Sequence, residues 1–230
     1  MTEEIKNHSI LSDTASENLS LLQPEIKPLI EAYSPKPKRN YRNKENLKRF
    51  YLPQEWFKLQ NQIKREHHKF FIEFLLHTGM RINEARNIRI TDIDFDREQI
   101  FIKKAKGGAR KNRTIQISTY LTGRIRSYLN SQNIESKLDT LGFPSTVMME
   151  KMIKRYTRLS GIQDWKDFSC HNIRKTLENW GVCLNVNILT LQAHMGHTLD
   201  VASAHYVATQ LMNQEDKSLI KAILDNLWSK

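Results

Sequence analysis

Cysteine is scarce. The chain has two, Cys170 and Cys183, thirteen residues apart in a stretch that reads as helical, so no disulfide framework is expected and a reducing cytoplasm is the natural setting. Long apolar runs are missing too: none approaches the roughly 20 residues of a membrane span. The opening MTEEIKNHSILSD is acidic and has no apolar signal-peptide core, so export is not expected. There is no Walker-type glycine loop, no internal repeat, and no low-complexity tract beyond one basic run. Acidic residues are in deficit, 25 against 36 Lys and Arg, leaving a formal charge of +11 and a pI near 9.6. That balance points to a polyanionic partner, nucleic acid first, although composition alone also admits acidic lipid or a merely basic surface.

What is present fits a globular protein: 39% hydrophobic and 27% charged residues in 230. The length suits one domain with extensions or two small ones. Residues 1–34 set Lys6 and Lys27 against six carboxylates (Glu3, Glu4, Asp13, Glu17, Glu25, Glu31) and read as a flexible acidic tail with at most one short helix. Residues 35–50 invert the charge, with Lys36, Lys38, Arg39, Arg42, Lys44, Lys48 and Arg49 against Glu45 alone. They are either a solvated linker or an arm that lies on DNA phosphates or enters a minor groove.

The folded part is expected from Tyr51. Pro53 suits a helix's first turn, and Trp56, Leu59 and Ile63 follow at helical spacing. A second helix over 70–76 ends at His77-Thr78-Gly79, where glycine tolerates left-handed dihedrals. Arg81 then opens a further helix, near amides that favour anions. Stretches 88–95, 99–104 and 113–117 read as short strands. The last two flank a glycine-containing basic turn with Lys104, Lys106, Arg110 and Lys111. Helices are expected over 121–129 and 146–159. The second carries methionines that suit core filling, and a basic face of Lys151, Lys154, Arg155 and Arg158 that suits a DNA groove. The predicted class is mainly α with a small antiparallel β-sheet.

The chemistry concentrates in residues 170–208. His171 and Arg174 form H-x-x-R, Met195-Gly196-His197 follows, and Tyr206 stands nine residues beyond His197. A hydroxyl nucleophile with cationic and donor groups is the set needed to attack a phosphodiester. His194, His197, His205 and Cys170 could suggest zinc, but their spacings match no familiar ligand pairing, and no metal is expected.

His171-Asn172-Ile173-Arg174-Lys175-Thr176, Met195-Gly196-His197 and Tyr206 resemble, at three linked spacings, the catalytic half of the tyrosine recombinases. H-T-G-M-R-I-N-E-A resembles that family's T-G-x-R-x-S-E, with Asn83 in place of serine. K-A-K-G-G-A-R-K-N-R resembles its lysine hairpin, with Lys106 aligning best and Lys104 and Lys111 as alternatives. Y-L-P-Q-E-W-F-K-L resembles the segment with which the family's catalytic domains begin. The resemblance implies a tyrosine-recombinase catalytic fold over 51–212, closed by a helix over 213–230 that either exchanges between neighbours or packs on its own domain.

It also implies Tyr206 as nucleophile, forming a 3′-phosphotyrosine. Arg81, Arg174 and His197 would hold the phosphate, Lys106 would act as general acid, and His171 would accept or relay the tyrosine proton. Double-stranded DNA is the implied partner, bound by a homo-tetramer that is monomeric or dimeric when free. An accessory DNA-bending protein is a further candidate partner. No cofactor and no membrane are implied, and the setting is cytoplasmic and DNA-associated. The family's usual helical clamp domain has no obvious counterpart in the residues before Tyr51. Two other readings stay open: a type IB topoisomerase-like nicking-closing enzyme, and a DNA-binding accessory protein on the same fold.

Overall fold

A buried helix over Cys170–Cys183 organises the described residues. The structure, a computed structural model, describes residues 50–103, 112–134, 136, 139–196 and 212–228. Within them the helices are α1 (Pro53–Gln62), α2 (Glu66–Thr78), α3 (Ile82–Arg86), α4 (Thr119–Ser131), α5 (Thr146–Leu159), α6 (Cys170–Cys183), α7 (Ile188–Met195) and α8 (Gln214–Leu224). The strands are β1 (Ile93–Asp94), β2 (Gln99–Ile102) and β3 (Arg113–Gln116). Helix α6 packs against α2, α5, α7 and α8. It is buried on nearly every side, with Ile173, Leu177 and Trp180 fully enclosed. A helix of mixed composition is buried this way only if its polar groups find partners.

Residue Tyr51 ties the start of the domain to α6. Its amide donates to Thr176 Oγ1 at 2.9 Å, and its carbonyl accepts from Trp180 Nε1 at 3.0 Å. Its ring lies 4.3 Å from that of Phe168. Pro53 occupies the first turn of α1, and the Glu55 carboxylate accepts the Leu52 amide at 3.1 Å. Serine side chains cap α4 and α5: Ser118 accepts from Leu121 and Ser145 from Met148.

The three strands form an antiparallel meander in the order β1-β2-β3. Ile93 pairs with Ile100, Ile100 with Ile115, and Ile102 with Arg113. Ile100, Ile102 and Ile115 face the core, while Phe101, on the opposite face, is exposed. Strand β3 packs on α7. The first expected strand is cut short. Residues 90–92 form a 3-10 turn because the Asp92 carboxylate accepts the Arg89 amide and pairs with Lys103 at 2.5 Å, leaving only Ile93 and Asp94 to pair. The helix expected over 70–76 extends back to Glu66, and the methionine cluster is divided: Met149 and Met152 are buried, Met148 is exposed.

Helix α8 lies on its own domain, against α1 and α6. Leu219, Ile220, Ile223, Leu224 and, just beyond the helix, Leu227 are buried there. Asn213 and Asp216 cap its start reciprocally, each accepting the other's amide at 2.9 Å. No helix among the described residues is long and apolar enough to cross a membrane.

A polar network joins α2 to α4. Glu73 is buried and paired with Arg124 at 3.0 Å, and Tyr120 donates to it at 3.4 Å. His77 lies beside the Tyr120 ring, its Nδ1 unpartnered among the described residues. Burial, with Arg124 adding to it, lowers His77 from 6.5 to about 3. His194 is lowered to about 4 by burial and then by Arg113, against its hydrogen bond to Thr78. Unfolded imidazoles titrate near 6.5, so between that pH and about 4 the unfolded chain binds protons that the folded chain refuses. Stability therefore falls as pH falls through this window. Glu73 opposes the trend, because burial raises it despite Arg124. The expected result is a urea midpoint that drops from pH 7 to pH 5, with a shallower drop in His77→Leu. Equal slopes in the two proteins would refute the assignment to His77.

Candidate active site

Two helices end side by side, and one guanidinium closes both. Helix α2 stops at Gly79 (φ +58°) and α7 at Gly196 (φ +65°), both left-handed. Arg174, one turn into α6 and 2% exposed, donates from Nη1 to the Gly79 carbonyl and from Nη2 to the Met195 carbonyl. A cation there meets the negative ends of two helices. Its Nε is buried and has no partner among the described residues, so donors remain for a further acceptor.

The glycine of T-G-M-R is required twice over. A Cβ on Gly79 would stand 2.7 Å from Met195 Sδ and 2.8 Å from Leu177 Cδ2, and the backbone is left-handed besides. The chain then turns so that Arg81 caps α3. Its amide donates to Glu84 Oε2 at 3.0 Å and its Nη1 to Glu84 Oε1 at 3.0 Å. Arg81 keeps 35% of its side chain exposed, while Glu84 keeps 3%.

A third guanidinium completes the cluster. Arg113, at the start of β3, donates from Nη1 and Nη2 to the two Glu84 oxygens at 3.2 and 2.9 Å. Its Nε donates to the His194 carbonyl at 3.0 Å. Burial favours the neutral form of Glu84, but Arg113 and then Arg81 outweigh it and hold the carboxyl at about 2. Arg174 is pushed down to about 9, by burial first and then by Arg81 and Arg113. Two guanidiniums thus hold one carboxylate while Arg174 feels the charge of both, and an added anion would relieve the repulsion among the three.

The structure brings Arg81 and Arg174 together. His171 lies in the first turn of α6, exposed, three residues before Arg174. Lys106, His197 and Tyr206 lie outside the described residues, as do Lys36, Lys38, Arg39, Arg42, Lys104, Arg110 and Lys111. Lys154 is half-buried and Arg155 exposed on α5, whose outward face also bears Lys151 and Arg158. Arg158 and Lys166 flank the Trp165 ring at 5.6 and 5.7 Å. Sequence reading missed Glu84 and Arg113. Both were visible as the last charged positions of two matched phrases, H-T-G-M-R-I-N-E-A and K-A-K-G-G-A-R-K-N-R.

Burial, then Glu150, pushes the Cys170 thiol up. His194 is buried with Nε2 against the Thr78 carbonyl at 3.1 Å. A cleft of about 530 Å³ lies elsewhere, between α2 and α5, lined by Phe71, Tyr128, Tyr156 and Arg155, and includes none of the arginine cluster.

The arginines of the T-G-M-R turn and the H-x-x-R helix thus lie close to one another in the fold. The chain belongs to the phage integrase family, whose model matches residues 52–223. It is 28% identical over 166 residues to the tyrosine recombinase XerA of Saccharolobus solfataricus, covering 70% of this chain and 54% of that protein. It is 26% identical over 192 residues to a tyrosine recombinase of Pseudothermotoga lettingae, covering 81% and 64%. The chain therefore spans about half to two thirds of the length of these curated relatives.

Among solved structures it resembles a XerA recombinase (TM-score 0.60, 20% identity, 75% of this chain and 63% of that one). It also resembles a XerH recombinase bound to a palindromic difH substrate (TM-score 0.61, 18% identity, 83% and 56%). The fold, mainly helical with a three-stranded antiparallel sheet, is that of tyrosine-recombinase catalytic domains.

Gly79→Ala should cost about 2 kcal/mol or more, from the left-handed backbone and the Leu177 contact together. Gly123→Ala, inside α4 with nothing within 4 Å of the new Cβ, should instead stabilise by about 0.5 kcal/mol. Urea denaturation of both variants checks the pair; a harmless Gly79→Ala would mean the turn is not constrained as described.

Proposed function

We propose that the chain is a site-specific DNA recombinase or integrase that cleaves and rejoins DNA through a 3′-phosphotyrosine. The observation that carries this reading is the cluster of Arg81 and Arg113 on Glu84 with Arg174 on the Gly79 carbonyl beside them, at the meeting of the T-G-M-R turn and the H-x-x-R helix. Planar guanidinium forks suit non-bridging phosphate oxygens in ground and transition states. Residues 51–212 form the catalytic domain, closed by the helical segment 213–230. Residues 35–50 supply a basic arm to phosphates.

In the proposed reaction, Tyr206 Oη attacks phosphorus in line and the bond to the 5′ oxygen breaks. His171 takes the tyrosine proton, and Lys106 gives a proton to the departing 5′ oxygen. Arg81, Arg174 and His197 hold the charge on the non-bridging oxygens. The phosphotyrosine ester conserves the energy of the broken bond, so resealing by a 5′ hydroxyl requires no ATP, and no step calls on a metal. Attack by a 5′ hydroxyl from a second duplex exchanges strands, which calls for a tetramer around two duplexes in the DNA-associated cytoplasm.

The first test is covalent capture. Wild-type protein, mixed in chelator with fragments of its own locus and quenched in detergent, should retain DNA, and Tyr206→Phe should not. DNA binding without capture would move the chain to the accessory-protein reading. Relaxation of supercoiled plasmid without strand exchange would move it to the topoisomerase-like one.

A second test addresses the α5 face. Lys154→Gln and Arg155→Gln should weaken binding similarly across sequences and lower the slope of log affinity against log salt by about 1 each. An unchanged slope would remove α5 from the DNA surface.

A further inference from the structure

Arg113 occupies a junction. It begins β3, opposite Ile102, immediately after the segment that carries Lys106. Its Nη1 and Nη2 reach α3 through Glu84, and its Nε reaches the last turn of α7 through the His194 carbonyl. A Cβ on Gly196 would stand 3.0 Å from its guanidinium carbon, so glycine next to His197 lets the α7 terminus close on this side chain. One planar group thus links the root of the lysine hairpin, the helix that Arg81 caps, and the turn that leads to His197.

Both Glu84 oxygens are shared. Oε1 accepts from Arg81 Nη1 at 3.0 Å and from Arg113 Nη1 at 3.2 Å; Oε2 accepts from the Arg81 amide at 3.0 Å and from Arg113 Nη2 at 2.9 Å. Arg113 is the more enclosed arginine, with 9% of its side chain exposed against 35% for Arg81. The carboxylate is therefore anchored from behind by Arg113, and Arg81 in front keeps donors turned outward. With Arg113 gone, a carboxylate with 3% exposure would turn its whole charge on Arg81 and compete with any incoming phosphate.

We infer that Arg113 is a positioning residue for strand cleavage. It shares the charge of Glu84, so that Arg81 stays oriented and free to meet the scissile phosphate. The inference rests on the proposed recombinase reading and adds a residue that acts through Glu84 and Arg81. A lysine would be a poor replacement, because a point charge makes one of the three contacts that the fork makes.

The test compares Arg113→Met, Glu84→Gln and the double variant in single-turnover capture at saturating DNA, with DNA affinity measured alongside. Arg113→Met should slow cleavage roughly 100-fold while DNA affinity changes less than about threefold. Adding Glu84→Gln should restore about tenfold, since the competing charge is removed. A merely structural role predicts the opposite, losses that add, and that result would overturn the inference. Should Arg113→Met fail to fold, Arg113→Lys with and without Glu84→Gln makes the same comparison. Absence of capture by wild type would sink the recombinase reading instead. The inference is then decided by the Arg81 guanidinium resonance in the full chain, which Arg113→Met should shift and which, if unmoved, overturns it.

Discussion

The helix ends around the candidate site accommodate one buried cation. Arg174 sits inside the protein at 2% exposure, where an unpaired charge would cost several kcal/mol. Its compensation comes from backbone rather than from a facing carboxylate: the carbonyls at the ends of α2 and α7. For those carbonyls to converge, both helices must stop within reach of α6, and both stop at left-handed glycines. The T-G of the first motif and the M-G of the second are thus one requirement met twice. Neutral acceptors leave the positive charge of Arg174 uncancelled, which suits the phosphate-holding role proposed for it.

The second layer distributes the single negative charge nearby. Glu84 is held well below the usual carboxylate range because two arginines outweigh its burial. It keeps Arg81 and Arg113 close together, which their mutual repulsion would otherwise oppose. The sheet enters through this arrangement. β3 delivers Arg113 to the α7 terminus, and the short antiparallel meander holds β3 by pairing Ile100 with Ile115 and Ile102 with Arg113. Fold and site are in this sense one construction, in which strand pairing determines where a guanidinium lies.

Sequence alone exposed those parts whose cause is local. Helix α5 was legible end to end, because its methionines and basic residues alternate at helical spacing. The stop at Gly79 was legible because glycine announces a left-handed residue. The cause of the 3-10 turn at 90–92 is not local: Lys103, eleven residues on, holds Asp92. The roles of Glu84 and Arg113 depend on a contact between residues 29 apart in sequence, which no periodicity encodes. Whether the C-terminal helix is exchanged or kept could not be read from its apolar stripe, since either partner would cover the same side chains. In the structure the stripe covers α1 and α6 of the same chain.

That docking sets a leash. Met212 is buried at the foot of α8, and only six residue steps separate it from Tyr206. A fully extended chain of that length reaches about 20 Å. On the other side, ten steps back to Gly196 allow about 35 Å. While α8 stays seated, chain length alone limits how far the backbone at position 206 can stand from Met212. Any carriage of the proposed nucleophile beyond that reach would first require α8 to release the apolar surface it buries.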